Sequence, residues 1–315
     1  MEDAELRIVV IVSTDPSDLY FANQLAQRFE LAGILLEHQR DPPDRRPRWR
    51  KLVGLLCRPR ELSGRLAEFI ASRWHRRVSR RVLDVESADF GEEGRRLDPV
   101  ISVPVKRIEG RGRLNDPECV SWLEERRPDL VAVCGASLLK PAMLDVPLRG
   151  VLNLHGGLAQ FYRGLFTTDW AILEGEPEKV GATVHFVSSG IDDGGVVFQG
   201  RPRLEAADHP NRAYEKVVRL GVEMMSAAIR VIGQGELHAC PEPAKGRLYR
   251  ERDFTYRTQR RLWRQWRRIM ATYEADREQR DAPIDASLIN SFTRWKNQAE
   301  RDGDRSAGGE TNGPF

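Results

Sequence analysis

With 315 residues, 40% of them hydrophobic, the chain can bury a substantial core and is not compositionally disordered. Its net charge of +3 averages two basic segments, residues 40–81 at +10 and 245–268 at +8, over a remainder at −15; such segments attract phosphate, nucleic acid or anionic membrane without dictating the fold. No apolar stretch has the length of a membrane span, the start Met1-Glu-Asp-Ala-Glu5 is acidic, and Cys57, Cys119, Cys134 and Cys240 form no CxxC or Cys/His pattern, so the expectation is a cytoplasmic protein with reduced thiols, no disulfide framework and no metal site.

Arg7 to Ser13 is an apolar run closed by the turn chemistry of Thr14-Asp15-Pro16-Ser17, and Leu19 to Leu31 repeats apolar residues at helical spacing. This predicts an opening strand and helix, with a second strand at Gly33 to Leu36. From Asp41 to about Asp98 the rhythm breaks. Pro42-Pro43 leads into an Arg-rich helical pattern (Leu52, Leu55, Leu56, Leu62, Leu66, Phe69, Ile70), read as an insertion before a third strand at Ile101 to Val105. Asn115 or Asp116 caps a helix with Pro117 in its first turn; it runs to Arg127, Pro128 interrupts it, and Asp129 to Gly135 is the next buried strand.

A short helix at Leu138 to Leu144 precedes a strand opening at Val151. A second apolar run covers Ala182 to Val187, and Pro210 to Gly233 has the periodicity of a long packed helix. Arg257 to Tyr273 is a basic helix with Leu262, Trp263, Trp266, Ile269 and Met270 on one stripe. Continuous apolar strands alternating with helices predict an α/β, Rossmann-like fold: a mostly parallel sheet with helices on both faces, a helical insertion and a helical C-terminal extension. The division is a principal domain over residues 1–240 containing the insertion at about 41–98, a basic helical extension over 241–301, and a disordered tail over 302–315. The Trp-lined helix offers a surface for a homodimer or for packing on the principal domain.

The chemistry concentrates at Gly150-Val-Leu-Asn153-Leu-His155-Gly-Gly. Residues two apart on a strand point the same way, so Asn153 and His155 share one face at the strand's carboxyl end, where ligands of such sheets bind. Asp192 follows the Ala182 run and returns a carboxylate to the same place if the two strands are neighbours. Amide donor, imidazole and carboxylate together suit acyl transfer onto an amine. His185, in mid-strand, reads as packing or surface, and Trp170 as core.

Four motifs occur in order: Asn153-Leu-His155, Tyr162-Arg-Gly164, Trp170-Ala-Ile-Leu-Glu-Gly175, and Gly181-Ala-Thr-Val-His185 continuing to Gly190-Ile-Asp192-Asp-Gly194. A lone Asn-x-His is common by chance; the ordered set is not. Over roughly Leu114 to Leu237 the chain resembles the formyltransferases that use 10-formyltetrahydrofolate, and the resemblance makes 1–240 their catalytic domain. It implies a catalytic set of Asn153, His155 and Asp192. It also implies that the co-substrate, 10-formyltetrahydrofolate, is held by loop backbone at Cys134, Gly135, Ala136, Ser137 and Leu138 and at Ser189, Gly190, Ile191 and Gly194, with Tyr162, Arg163 and Gly164 on the acceptor side.

Departures from the family pattern bear on the acceptor. Gly156-Gly157 stands where many members have Pro-Ser, and Leu158-Ala159-Gln160 where they have Leu-Leu-Pro. Ser13-Thr14-Asp15-Pro16 replaces the Gly-rich phosphate loop of the glycinamide ribonucleotide enzymes, and Asp15 would repel a phosphate there. Methionyl-tRNA formyltransferases carry a β-barrel after the catalytic domain, whereas the segment after Lys245 reads as Arg/Trp helix. The expected acceptor is therefore the primary amine of an amino sugar, anionic as a nucleotide conjugate or lipid-linked, with nucleic acid disfavoured and peripheral membrane contact through the basic segments as a further expectation. The alternatives are a methionyl-tRNA formyltransferase-like enzyme, or a non-catalytic module of the same fold that holds RNA or membrane.

Overall fold

A computed structural model describes residues 6–39, 89–188, 194–235, 239–241 and 246–307, the last six as backbone alone. Residues 41–88 of the insertion expected at about 41–98, with its whole leucine pattern, lie outside the described residues, as do Ser189, Gly190, Ile191 and Asp192 and the final residues 308–315.

Strand β1 (Ile8–Ser13) is buried along its whole length because it lies between β2 (Leu31–His38) and β4 (Leu130–Cys134), parallel to both. Beyond these come β3 (Val105–Glu109) on one side and β5 (Val151–His155) on the other, again parallel. β7 (Ala182–Phe186) and β8 (Val196–Gly200) complete the sheet as antiparallel strands, in the order β3-β2-β1-β4-β5-β7-β8. Strand order reverses between β1 and β4, so the crevice beyond their carboxyl ends is a topological switch point.

Period-two alternation divides the core. Ile8, Val10 and Val12 face α1 (Pro16–Arg28) and α5 (Pro210–Gly233), while Val9 and Ile11 face α2 (Pro117–Arg126) and Met143 of α3 (Pro141–Leu144). Prolines at the start of α1, α2, α3 and α5 fit where the missing N–H has no helical partner. Gly221 on α5 admits Leu154 of β5: a Cβ there would lie 2.5 Å from its Cδ1.

After β5 the short β6 (Tyr162–Gly164) leads into α4 (Thr167–Leu173). β6 pairs in parallel with β9 (Arg247–Tyr249), which belongs to the C-terminal extension. The extension continues as α6 (Tyr256–Ala275), α7 (Arg277–Ser287) and α8 (Phe292–Ala307). Leu262, Trp266, Met270 and Tyr273 of α6 are buried in the main core, and α6 packs against α4. Arg201, at the end of β8, is ion-paired with Asp281 and Asp285 of α7.

Several expected boundaries shift. The first helix ends at Arg28, and Leu31, expected as its last residue, opens β2. The third strand begins at Val105, not Ile101: Pro104 has no N–H for a ladder and only accepts, from Ile34 N at 2.9 Å, so pairing starts at Ile34 with Val105 and runs on through polar edge residues Lys106 and Arg107. α8 reaches Ala307, so residues 302–307 are helical where a disordered tail was expected. Cys119, Cys134 and Cys240 are free thiols; Cys57 lies outside the described residues.

Candidate active site

β5 and β7 are antiparallel neighbours, with Asn153 opposite His185 and His155 opposite Thr183. Asn153 Nδ2 lies 3.2 Å from His185 Nε2, and His185 Nδ1 lies 2.8 Å from the Phe186 carbonyl oxygen. A carbonyl only accepts, so Nδ1 carries the hydrogen; in the neutral ring Nε2 is then an acceptor, and the Asn153 amide donates to it. This orients Asn153 with its nitrogen toward β7. His185 is 3% exposed, so the residue expected as packing or surface is a buried partner of Asn153.

His155, 5% exposed, donates from Nε2 to the Tyr162 carbonyl oxygen at 2.9 Å. In its neutral tautomer Nε2 therefore carries the hydrogen and Nδ1 is the acceptor nitrogen. The loop after it is tightly tied. Thr167 Oγ1 donates to Gly156 O at 2.5 Å, and Thr183 Oγ1 donates to Gly157 O at 2.7 Å while accepting from Ala159 N and Gln199 Nε2, each at 3.3 Å. A Cβ on Gly157 would lie 2.8 Å from His155 Nε2 and 3.0 Å from Thr167, so the second residue of the Gly-Gly departure leaves room for the imidazole.

Tyr162, Arg163 and Gly164, expected on the acceptor side, make these contacts within the protein. The Tyr162 hydroxyl is turned away, 2.6 Å from Glu176 and 3.1 Å from Glu174, and burial beside these carboxylates pushes its pKa up. Arg163 Nε donates to Gly246 O at 2.9 Å. Gly164 has φ +86°, and a Cβ on it would lie 2.1 Å from Tyr249 O of β9. Tyr249 in turn donates to Glu174 at 2.6 Å and stacks on Trp170 at 4.5 Å.

The expected folate loop follows β4, beside β5, with Cys134 opposite Leu154. Gly135 is required there: its φ is +65°, and a Cβ would overlap the Asp18 carboxyl. Buried Glu37 at the end of β2 receives Ser137 N and Gly112 N, both at 2.8 Å, and Asn115 Nδ2 reaches Leu138 O at 2.9 Å. Ala136 is half-buried and Leu138 is exposed at the loop's tip. Asp18 accepts from Ser13 at 2.6 Å and Ser17 at 3.0 Å, and burial raises its pKa to about 6. Burial, with Asp18 nearby, pushes the Cys134 thiol well up, which makes it a packing residue rather than a nucleophile.

Gly194, on the far side of the second loop, approaches the Phe186 carbonyl so closely that a Cβ would overlap it. Asp192, Ser189, Gly190 and Ile191 lie between this glycine and Ser188, outside the described residues. Among the described residues no group of three or more His, Cys, Asp or Glu side chains is arranged to hold a metal ion. Sequence reasoning missed His185, Glu37 and Asp18. No local signal marked His185, because its pairing with Asn153 depends on the register of two strands; the two acids end or follow apolar strands, where polar residues read as boundaries.

Residues 85–229 match the formyl transferase family. Among curated relatives, the chain is 29% identical over 138 residues to the methionyl-tRNA formyltransferase of Acetivibrio thermocellus, covering 44% of each chain. It is 30% identical over 156 residues to that of Ralstonia pickettii, covering 49% of this chain and 47% of the relative. The chain thus spans less than half the length of these relatives. Among solved structures, a sugar N-formyltransferase from a Shewanella species superposes with a TM-score of 0.49 at 16% identity, covering 82% of this chain and 87% of that one. Glycinamide ribonucleotide transformylase 1 of Symbiobacterium toebii gives 0.48 at 19% identity, over 76% and 96%.

Proposed function

We propose, from the match of residues 85–229 to the formyl transferase family, that the chain transfers a formyl group from 10-formyltetrahydrofolate to the primary amine of an amino sugar, nucleotide- or lipid-linked. The observation that carries this reading is the placement of the Asn153 amide and the His155 imidazole on one strand face at the carboxyl end of β5, each fixed by its own hydrogen bond. The loops at Gly135 and Gly194, where no Cβ fits, suit close approach of backbone to a flat pterin, so the Gly135–Leu138 loop and Gly194 are assigned to the folate. When bound, 10-formyltetrahydrofolate supplies the electrophilic formyl carbon.

Asn153 donates to the carbonyl oxygen as attack by the amine charges it, an effect worth about 3 kcal/mol in comparable sites. His155, with Nε2–H held by Tyr162 O, takes the proton from the attacking amine, the Asp192 assigned by motif stabilises the imidazolium, and the proton passes to the folate nitrogen as its bond to the formyl carbon breaks and tetrahydrofolate leaves. The Thr167 and Thr183 tethers keep the loop from swinging into the place of the amine.

One observation favours a second reading, an aminoacyl-tRNA acceptor: the curated relatives above are methionyl-tRNA formyltransferases. The described chain after Gly246 supports the sugar, because it is one three-residue strand, one 3-10 turn and three α-helices rather than a barrel. Release of tetrahydrofolate is the assay, with a panel of nucleotide-linked amino sugars and with methionyl-tRNA. Turnover with a sugar amine is the expected result, and no turnover with any amine overturns formyl transfer. Binding governed by many phosphates would weaken steeply with salt and identify the tRNA reading.

A further inference from the structure

Helix α6 carries Arg257, Arg261, Arg264 and Arg268 at steps of four, three and four residues. At 100° and 1.5 Å per residue they fall within an arc of about 60° along about 17 Å of helix, a straight row. All four are exposed, and none makes an ion pair or side-chain hydrogen bond among the described residues. Arg260 and Arg267 flank the row, the latter over the ring of Trp266 at 5.4 Å. Between Thr255 and Tyr273 there is no acidic residue.

An ordinary solvated helix face mixes signs. Like charges four apart destabilise a helix, and the first turn of α6, where the macrodipole favours acids, holds none. The row therefore works against the helix that bears it, and no compensating contact occurs among the described residues.

We propose that this row docks the protein on an anionic phospholipid surface. The apolar stripe of the same helix, Leu262, Trp266, Met270 and Tyr273, lies about 180° from the row and is buried in the protein core, so α6 binds by charge at the headgroups and does not insert. No helix among the described residues is long and apolar enough to cross a membrane, consistent with contact from one side. A plane meets all four guanidinium groups of a convex, straight ridge at once. A duplex backbone turns through about half a helical turn over the same 17 Å, so one strand of it follows only part of the row. Each arginine at an anionic surface strengthens binding about fivefold at physiological salt.

The test is co-sedimentation of the full chain with vesicles of phosphatidylcholine, with and without one third phosphatidylglycerol. Binding to the anionic vesicles alone, weakening as salt rises, is expected. The double variant Arg261→Gln/Arg264→Gln should lose about 25-fold, Arg261→Lys/Arg264→Lys should retain most binding, and Arg95→Gln/Arg301→Gln, off the row, should match the parent. Absence of binding to the anionic vesicles, equal loss in the on-row and off-row variants, or displacement by transfer RNA at matched phosphate overturns the proposal. Neither a folate nor an amine enters this assay, so its failure leaves the formyl-transfer reading intact.

Discussion

Asn153 and His185 face each other across β5 and β7, amide nitrogen 3.2 Å from ring nitrogen, and the second ring nitrogen is committed to a backbone carbonyl. The histidine thereby sets which end of the Asn153 amide points toward it. Replacing His185 by Ala leaves that amide free to rotate. The expected result is a fall in kcat of about tenfold, the scale of one net hydrogen bond, with KM for the folate little changed. Steady-state kinetics with both substrates varied checks this.

Asn153→Ala removes the proposed oxyanion donor and should lower kcat by about 10²–10³ while the circular-dichroism spectrum and melting temperature stay close to the parent. The double variant Asn153→Ala/His155→Ala should be inactive in the tetrahydrofolate-release assay. Full biological activity of that double variant would favour the non-catalytic binding module.

Asp18 gives stability a pH dependence of known sign. Its pKa in the fold is raised from 3.8 to about 6 by burial, so the native state holds a proton that the unfolded chain releases. The protonated carboxyl carries no penalty below the unfolded value. As pH rises from about 4 to about 6 the unfolded chain gains by ionising, and the native state loses about 3 kcal/mol relative to it. Asp18→Asn should flatten this limb, so that melting temperatures measured from pH 4 to 8 fall less with rising pH than those of the parent.

Gly164→Ala places a methyl group 2.1 Å from Tyr249 O at a backbone φ of +86°. Strain and overpacking together should cost about 2–4 kcal/mol. Chemical denaturation measures the loss. Because β6 also supplies the carbonyl that holds His155, kcat should fall even at temperatures where the variant remains folded.

The parts of the fold legible in sequence were those written in local periodicity. The continuous apolar runs of β1, β4 and β5 gave their burial, and α5 spans the residues its pattern indicates, Pro210–Gly233. Sharing of a face by Asn153 and His155 followed from strand geometry alone. What remained hidden depends on contacts distant in sequence. Val105–Glu109 is a strand because β2 offers it a ladder, although its own residues are mostly polar. Glu37 and Asp18 are buried because the loops beyond β4 fold over them, and the pairing of His185 with Asn153 depends on an antiparallel register that neither segment encodes alone.

The parallel pairing of β6 with β9 has a practical consequence for chimeras among relatives of this domain. Joining a foreign C-terminal region at the end of α5 would delete the strand against which Gly164 packs, the aromatic ring stacked on Trp170, and the Phe254 ring stacked on Phe166 at 4.6 Å. The graft would then disturb the ribbon that grips the His155 imidazole while appearing to exchange only an appendage. A functional junction belongs after Phe254, so that residues 246–254 travel with the site they brace.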